Sequence, residues 1–403
     1  MTASPRIDNG ASASAPGLER NGFTLEQRFY VDPGIFRRDV EQLLMRHWLC
    51  AGHESSVPNP GDYFLFDLAE ESVIVVRGQD RQVRAFANVC RHRGSRICAA
   101  PSGTAKNFVC PYHAWTYGLD GTLLAARHMP AGFDARPYGL KPVHLRIIEG
   151  VVFVSLAATP LGLANVAATL KASLGPYGWS GARVAHRETY RIAANWKLAV
   201  ENYLECYHCS PSHPEYSRLH ALEQPTARIA SLAAKVEQRT AALGIDIPLN
   251  DHRTPSSSGE ETVYGFRYPL YDGVATGSED GSPLAPLMGR FTDYDGAVTS
   301  VHLAPASFLV AYPDHGVIYR FIAKTEASSE MELIWLVRGG AREGVDYDLA
   351  RLTWLWKVTS EADKRIVEQN QLGIRSRFYE PGPYAPMEEN TRRYIEWYLG
   401  EIA

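Results

Sequence analysis

The stretch CRHRGSRICAAPSGTAKNFVCPYHAW, residues 90–115, contains two short pairs of metal-binding side chains. Cys90 and His92 form the first pair, and after seventeen intervening residues Cys110 and His113 form the second. The surrounding sequence consists of short alternating or β-branched runs, so each pair is predicted to lie on a loop at the end of β-strands. The stretch therefore predicts two loops that bring two thiolates and two imidazoles to one metal site.

The order of these donors discriminates between kinds of metal site. A Cys2His2 zinc finger groups its cysteines in one pair and its histidines in another, whereas here each loop supplies one of each. Two thiolates on one iron and two imidazoles on the other describe a Rieske two-iron, two-sulfur cluster. Its neutral imidazoles raise the reduction potential, so an ordinary reductase can reduce it. A zinc ribbon or a chance spacing is the alternative.

The composition is that of an enzyme with a large core. The chain has 403 residues, of which 45% are hydrophobic, and this is enough for two packed domains. A formal net charge of -4 gives no basic surface for nucleic acid or for an acidic membrane. No export signal or unbroken apolar span is present in the sequence, so the six cysteines are expected to be reduced thiols in a cytoplasmic protein.

The pattern along the chain predicts an α+β protein with two domains. Asp32 and Pro33 are start signals for one amphipathic helix ahead of the first sheet. Residues 245–285 are polar and rich in glycine and proline, which predicts a long surface loop or lid. A long helix is predicted over 346–376. The predicted segments are a disordered leader at 1–22, a helical segment at 23–47, an antiparallel all-β domain at 48–158 and an α+β catalytic domain with an antiparallel sheet at 159–403.

A second group of candidate ligands lies in NWKLAVENYLECYHCSPSHPEY, residues 195–216. A helix over the first part of this stretch would place Glu205 and His208, three residues apart, on one face. Ser210-Pro211 would end the helix and let His213 turn back toward it. Two histidines with one carboxylate form the facial triad of non-haem iron(II) enzymes, which leaves metal positions open for oxygen and substrate.

The carboxylate of such a triad has several candidates. Glu201, Glu205 and Glu361 lie nearby in the sequence or on the same predicted elements. Asp363 lies on the apolar stripe of the predicted late helix, and burying an unpaired carboxylate is costly, so it is expected to have a cation or metal partner. The other members of that stripe are Leu352, Trp356, Thr359, Ile366 and Val367.

Several neighbouring residues are interpreted as structural. Trp196, Tyr203 and Tyr207 are expected to pack in the interior. Cys206 and Cys209 are expected to be core or surface thiols, because soft ligands do not suit this iron.

The segments CRHRGS and CPYHAWTYGLDGTL closely resemble the Rieske domains of ring-hydroxylating and related non-haem iron oxygenases. The resemblance implies that Cys90 and Cys110 hold one iron of the cluster and that His92 and His113 hold the other. Ala114 stands where this family commonly has glycine. The second loop has no spare cysteine for the disulfide of respiratory Rieske proteins, and Cys98 is expected to be a buried thiol.

The segment ENYLECYHCSPSHP resembles the iron-site motif of the α subunits of these oxygenases, and ADKRIVEQNQLG resembles the segment with their third iron ligand. The resemblance implies that His208, His213 and Asp363 bind the mononuclear iron. It also implies that Glu205, where aspartate is commoner, is not a ligand and instead links His208 to a cluster histidine of a neighbouring subunit.

Together the two motifs imply a terminal oxygenase. A separate flavin and iron-sulfur reductase would pass electrons from NAD(P)H to the cluster and then to mononuclear Fe(II), where O2 is activated. In the family the subunits associate head to tail, because the two sites of one chain are too far apart for efficient transfer while those of neighbours are close. The resemblance therefore implies a homotrimer and a catalytic domain of the helix-grip type.

The substrate is expected to be a small molecule, and the sequence favours a quaternary ammonium compound. ENYLECYHCSPSHP and YEPGPYAP are similar to the branch of glycine betaine and stachydrine demethylases and choline and carnitine monooxygenases. A diffuse cation binds the faces of aromatic rings, so an aromatic cage is expected, and oxygenation beside nitrogen would be an N-demethylation. Candidate cage residues, each of which could instead be a packing residue, are Tyr264, Phe266, Tyr268, Tyr271, Phe291, Tyr294, Phe308 and Tyr312.

Other functions remain as alternatives at this point. Hydroxylation or dihydroxylation of an aromatic acid is the competing reaction. A Rieske electron-transfer protein would need only the cluster domain and would not explain His208, His213 and Asp363. A metal-stapled binding protein would need no oxygen site and would be colourless. Iron content separates them, since the oxygenase predicts three irons per chain, the electron carrier two and a zinc protein none.

Overall fold

A computed structural model describes residues 22–222, 227–247, 252–253 and 259–403. Apart from residue 22, the predicted leader lies outside the described residues. In the described ranges, no helix combines the length and the apolar character that a membrane crossing requires.

The N-terminal segment contains two short helices and a π-helical turn. These are α1 (Arg28–Val31), α2 (Pro33–Arg38) and the turn Asp39–Leu44. The carboxylate of Asp32 accepts hydrogen bonds from the backbone N–H groups of Gly34 and Ile35 at 2.6 and 3.0 Å, which caps α2 at the predicted start. The helix predicted to start at Asp32 and Pro33 is present as α2 and the π-helical turn that follows it, whereas α1, which the extended backbone of Asp32 separates from α2, was not predicted.

The first domain is an antiparallel β structure, as predicted. Seven of its strands form one sheet in the order β1-β10-β9-β4-β3-β2-β5, and β6, β7 and β8 form a small separate sheet. The loop between β4 and β5 carries the first Cys-His pair, and the loop between β6 and β7 carries the second. The strands are β1 (Leu49–His53), β2 (Asp62–Leu68), β3 (Glu71–Arg77), β4 (Val83–Ala87), β5 (Ser102–Thr104), β6 (Phe108–Val109), β7 (Thr116–Tyr117), β8 (Leu123–Ala125), β9 (Pro142–Ile148) and β10 (Val151–Ser155).

The second domain is built on a seven-stranded antiparallel sheet in the order β11-β17-β16-β15-β14-β13-β12, which confirms the predicted α+β class. Its strands are β11 (Ala182–Ile192), β12 (His252–Arg253), β13 (Val263–Pro269), β14 (Ala297–Leu303), β15 (Ser307–Ala311), β16 (Gly316–Thr325) and β17 (Ser328–Arg338). The accompanying helices are α3 (Ala164–Ser173), α4 (Trp196–Tyr203), α5 (Cys209–Ser212), α6 (Pro214–Ser217), α7 (Ala227–Ala242), α8 (Leu349–Ile374) and α9 (Glu389–Ile402).

Two length predictions for this domain can be compared with the structure. The helix predicted over 346–376 is α8, and Asp348 caps it by accepting a hydrogen bond from the N–H of Arg351 at 2.9 Å. The prediction of a continuous loop over 245–285 is wrong, because β13 crosses it and pairs with β14. Aromatic residues that alternate along β13 stabilise it as a strand despite the polar residues around it.

The two domains pack against each other and against the late helices. The backbone N–H of Ala69 donates to the carbonyl of Ala323 at 2.9 Å, and the guanidinium of Arg320 donates to the carbonyl of Cys50 at 3.2 Å. One buried apolar cluster continues from Phe64 in the first domain to Trp335 in the second. This packing holds α4 and α8 against the sheet. Asp363 lies on α8, and His208 and His213 follow α4 in the chain.

Candidate active site

The two cysteines of the first motif are buried side by side. Cys90 and Cys110 are 3% and 2% exposed, and their side chains are hydrogen-bonded to each other. The hydroxyl of Tyr117 lies 3.2 Å from the sulfur of Cys90 and accepts a hydrogen bond from the N–H of Arg91 at 3.0 Å. Burial raises the pKa of the Cys110 thiol, but hydrogen bonds, first that from the backbone of Tyr112, hold it below its ordinary value. This environment favours the thiolate of Cys110, and a thiolate is the form that binds iron.

The two histidines of the motif lie at the surface, beside the buried cysteines. The ring centroids of His92 and His113 are 4.6 Å apart, and the Trp115 ring stacks on His92 at 4.9 Å. Partial burial, His92 and Arg93 lower the pKa of His113, which favours the neutral imidazole that a metal needs. Ala114 has a φ of 56°, in the left-handed region where glycine is favoured, which explains why glycine is common at this position but gives no reason for the alanine of this chain.

The donor set fits a Rieske cluster. Across the two loops the two buried cysteines pair with each other and the two exposed histidines pair with each other, which suits thiolate ligation of one iron and imidazole ligation of the other. Cys98, predicted to be a buried thiol, is buried and free, and burial raises its pKa to about 11. It lies outside the group of four donors.

The second group brings together the three predicted ligands of a mononuclear metal. An oxygen of Asp363 lies 2.8 Å from Nε2 of His213 and 3.2 Å from Nε2 of His208. One donor atom from each residue lies within 4.8 Å of the others. This separation suits one ion with ligand bonds of about 2.0–2.2 Å, and two imidazoles with one carboxylate suit non-haem iron(II).

The local backbone of this group differs from the prediction. Helix α4 ends at Tyr203, so Glu205 and His208 do not share a helical face, and Ser210-Pro211 lies inside α5 and does not end the preceding helix. Glu205 instead lies in a turn, where its carboxylate accepts hydrogen bonds from the N–H groups of Tyr207 and His208. Its Oε1 is also 2.6 Å from Nδ1 of His208. The contact expected from helical spacing is therefore made by a turn.

The electrostatics of the group favour a cation. Burial lowers the pKa of His208, but the carboxylates of Asp363 and Glu205 outweigh this effect and raise it to about 9. Burial raises the pKa of Asp363, but His208 and His213 hold it below its ordinary value. The positive charge that these carboxylates stabilise on the imidazoles can equally be supplied by a divalent metal ion.

The competing carboxylates lie elsewhere. Glu201 is buried and accepts hydrogen bonds from the hydroxyl of Tyr30 at 3.0 and 3.1 Å. Burial raises the pKa of Glu201 to about 8. Glu361 is exposed on α8. Among the described residues, only Asp363 joins the two histidines in the potential metal group.

Two interpretations of neighbouring residues were wrong. Cys206 and Cys209 form a disulfide that encloses His208, and they are not free thiols. Tyr207 does not pack in the interior, because it is 58% exposed. Trp196 is buried as expected, and Tyr203 packs as expected on the rings of Phe308 and Tyr319, with ring centroids 4.2 and 4.8 Å away, while it also lines a cavity next to the metal group. A Cys-x-x-Cys spacing was the sequence signal for the disulfide.

A cavity of about 330 Å³ includes the metal group in its wall. A second cavity of about 220 Å³ shares Leu204, His302 and Asn390 with it and is also lined by Arg393. The aromatic side chains around the first cavity are Tyr203, Tyr216, Phe266, Tyr268, Tyr319 and Trp356.

Half of the candidate cage residues line a cavity. Phe266 and Tyr268 line the first, and Tyr264 and Phe308 line the second. The other four, Tyr271, Phe291, Tyr294 and Tyr312, line neither cavity.

Sequence reasoning missed four of the aromatic residues in the wall, one of which is Tyr203, predicted only as a packing residue. Trp356 shares the predicted stripe of Asp363, and Tyr216 follows His213 by three residues, so both had a sequence signal. Tyr319 lies inside β16, where nothing in the sequence distinguishes it from a core residue.

Comparison with known proteins places both halves of the chain. Residues 47–144 match the model of the Rieske [2Fe-2S] domain, and residues 180–402 match that of the ring hydroxylating alpha subunit, catalytic domain. A glycine betaine monooxygenase oxygenase subunit of Pseudomonas aeruginosa is 38% identical over 383 residues, which are 94% of this chain and 89% of the relative. A carnitine monooxygenase oxygenase subunit of Escherichia coli is 31% identical over 369 residues, which are 89% of this chain and 86% of the relative.

Solved structures show the same fold at lower identity. A quaternary ammonium Rieske monooxygenase in complex with L-carnitine superposes with a TM-score of 0.69 at 21% identity, covering 94% of this chain and 96% of the other. Naphthalene 1,2-dioxygenase from Rhodococcus superposes with a TM-score of 0.66 at 18% identity, covering 94% of each chain.

Proposed function

This chain belongs to the family of ring-hydroxylating oxygenase alpha subunits with a Rieske domain, and from that premise we propose that it removes a methyl group from a small quaternary ammonium compound, with glycine betaine as the first candidate. It is an O2-dependent oxygenase whose cofactors are a Rieske cluster and a mononuclear iron. A pure electron carrier is excluded, because the catalytic domain accounts for more than half of the chain.

The observation that carries the substrate proposal is the aromatic cavity beside the metal group. Ring faces attract a quaternary ammonium group, whose charge is too diffuse to form a strong ion pair. Among the described residues in the wall of the first cavity, none is a lysine or an arginine. An aromatic acid would bring a net negative charge beside Glu205 and Asp363 and no cation for the ring faces, whereas a betaine is neutral overall, which disfavours the competing reaction.

The side chains of the metal group have distinct roles in this proposal. His208, His213 and Asp363 would hold the iron on one side, and Glu205 would accept a hydrogen bond from Nδ1–H of His208 and so leave Nε2 for the metal. When bound, the iron supplies O2 activation with electrons that arrive through the cluster. Cys90, Cys110, His92 and His113 would hold that cluster.

The aromatic wall would orient the substrate and limit water in the cavity. One oxygen atom enters a C–H bond of an N-methyl group, and the other leaves as water after two electrons and two protons are taken up. The resulting N-hydroxymethyl compound breaks its C–N bond, so that formaldehyde, a tertiary amine and a proton are released.

Isotope labelling of the products tests the reaction. The reduced holoenzyme is incubated under ¹⁸O2 with glycine betaine, choline, carnitine or an aromatic acid, and the products are identified by mass spectrometry. The proposal predicts dimethylglycine and one equivalent of formaldehyde from glycine betaine, with ¹³C in the trapped formaldehyde when the N-methyl groups of the substrate carry that label, whereas ¹⁸O would be found in a hydroxylated aromatic acid. A hydroxylated aromatic acid, with no product from any ammonium compound, would contradict it.

We also propose that the electrons come from NAD(P)H through a separate flavin and iron-sulfur reductase, and that the chains form a homotrimer with domains at 48–158 and 159–403. His92 and His113 are exposed, so they would present the cluster to another protein surface. Glu205 lies beside the exposed ring of Tyr207, so the second site also adjoins a surface that a neighbouring chain could cover.

Mixing two inactive variants tests transfer between subunits. Cys110→Ser chains would lack the cluster and Asp363→Ala chains would lack the iron. If electrons pass between neighbours, a co-refolded or co-expressed mixture regains a fraction of the wild-type activity. If transfer stays within one chain, the mixture remains inactive.

A further inference from the structure

We infer that the paired hydroxyl groups of Tyr216 and Tyr268 hold the carboxylate of a zwitterionic substrate in the first cavity. The inference rests on the proposed function, because it assigns the second end of a substrate whose ammonium end meets the aromatic wall. It makes these two tyrosines specificity-determining residues for betaines over ammonium compounds without a carboxylate.

The charges around the cavity require a neutral donor for such a carboxylate. The acids in its wall are Glu205 and Asp363, and within the described part of the chain no lysine or arginine joins them. A carboxylate could bind the iron directly, but it would then occupy positions that O2 needs. A substrate that leaves the metal open must place its carboxylate on uncharged hydrogen-bond donors.

A count of their protons shows that the two tyrosine hydroxyls can act as such a donor. They lie 2.8 Å apart in the cavity wall. Each hydroxyl carries one proton, so a pair that shares one hydrogen bond retains a second proton for another acceptor. In the described ranges, the structure gives neither hydroxyl a further hydrogen-bond partner. A substrate oxygen would complete the pair.

The positions of the two rings fit this role. Tyr216 lies on α6, three residues after His213, and its ring is 5.8 Å from that of Trp356. Tyr268 lies on β13, with its ring 5.6 Å from that of Phe266. The hydroxyl pair therefore lies among the ring faces that would bind the ammonium group, as a short zwitterion requires.

The protonation of the pair supports the same role. Burial raises the pKa of Tyr268 to about 12 and that of Tyr216 well above its ordinary value. Both hydroxyls keep their protons at physiological pH and act as donors. A hydrogen bond from such a group to a carboxylate is stronger than one to a neutral acceptor.

Equilibrium binding to the anaerobic holoenzyme tests the inference. The two probes are glycine betaine and isobutyltrimethylammonium, in which a CH(CH3)2 group replaces the carboxylate at similar size. Isothermal titration calorimetry measures both dissociation constants in the absence of O2. The wild type is expected to prefer glycine betaine by about 10- to 100-fold, since a hydrogen bond to a charged group contributes this much.

The double variant Tyr216→Phe/Tyr268→Phe is the decisive comparison, because in either single variant the remaining hydroxyl can still donate. It is expected to lose the preference while still binding isobutyltrimethylammonium. Tyr177→Phe is the matched control, since the Tyr177 hydroxyl forms a buried pair of the same 2.8 Å length with Thr299 outside both cavities. This control is expected to keep the preference, and the visible spectrum of the cluster reports folding of each variant.

Two results would overturn the inference and can be told apart. If the double variant binds both probes and keeps the preference, the carboxylate is held elsewhere, for example at Ser300 or His302, and the proposed function stands. If the wild-type holoenzyme binds neither probe, the ammonium substrate and the inference both fail.

Discussion

The candidate metal-binding side chains of the cluster loops and those of the iron cavity are brought together in opposite ways. The four proposed cluster donors come from one continuous stretch, residues 90–113, and its histidines reach the surface. The proposed iron donors include His213 and Asp363, which are 150 residues apart, and His213 is only 2% exposed. A surface site encoded locally suits electron exchange with a partner, whereas a site assembled by tertiary packing can enclose a substrate.

Removal of Asp363 tests this separation with the largest expected effect. Asp363→Ala deletes the one carboxylate in the metal group, so the mononuclear iron and all turnover should be lost. The cluster should remain, with iron content falling from about three to about two per chain and an unchanged visible spectrum. Glu361→Ala, an exposed position on the same helix, is the control and should keep all of the iron.

The reverse variant is Cys110→Ser. It should remove the cluster and steady-state activity, because the second buried thiolate is lost, and leave the mononuclear site intact. Iron analysis should then give about one iron per chain, and the cluster absorption should be absent. Loss of all iron in this variant would show that the two sites are not independent.

Glu205→Gln should have an intermediate effect. The amide keeps the size of the side chain but removes the negative charge that faces Nδ1 of His208. Loss of such a partner typically lowers metal affinity or activity by about 10- to 100-fold. Turnover measured with iron content restored separates the two effects. Unchanged turnover and unchanged iron affinity would contradict a linking role.

A smaller effect is expected on the pH dependence of stability, at a histidine that contacts a helix in the wall of both cavities. His47 lies between Glu261 and Glu401, at 2.9 and 3.5 Å, and Glu401 belongs to α9, which lines both cavities. Burial lowers the pKa of His47, but the two carboxylates outweigh this effect and raise it from 6.5 to about 9.

Because the folded-state pKa is raised, the stabilisation by His47 is complete below pH 6.5, decreases above it and is absent above about pH 9. The full contribution is about 3 kcal/mol. Urea unfolding of the wild type and of His47→Gln between pH 6 and 10 should show a difference that shrinks as pH rises. A constant difference would contradict this account.

The contrast between a locally encoded cluster site and an iron site assembled by tertiary packing explains which features could be predicted from the sequence. Cys90, His92, Cys110 and His113 were found by spacing alone, and the comparisons confirm the predicted family and the α+β class. The roles of these residues, like those of Glu205, His208, His213 and Asp363, stay predictions. Sequence periodicity could suggest that Asp363 faces inward, but the resemblance was needed to choose it over Glu201 and Glu361.

The errors concentrate around the iron cavity, where tertiary packing overrides local signals. Helix α4 ends before Glu205, so the helical spacing used for the prediction was wrong although the contact with His208 exists. Tyr319 became a wall residue only because the sheet brings β16 beside α4 and α8. Such neighbours are not encoded in any short stretch of sequence.

A single turnover tests the central claim most directly. The fully reduced holoenzyme holds the two electrons that one monooxygenation consumes, so it is mixed anaerobically with glycine betaine and then exposed to O2. We predict close to one formaldehyde per mononuclear iron from the wild type and none from Asp363→Ala. No formaldehyde from a fully iron-loaded, reduced wild type would contradict N-demethylation of this substrate.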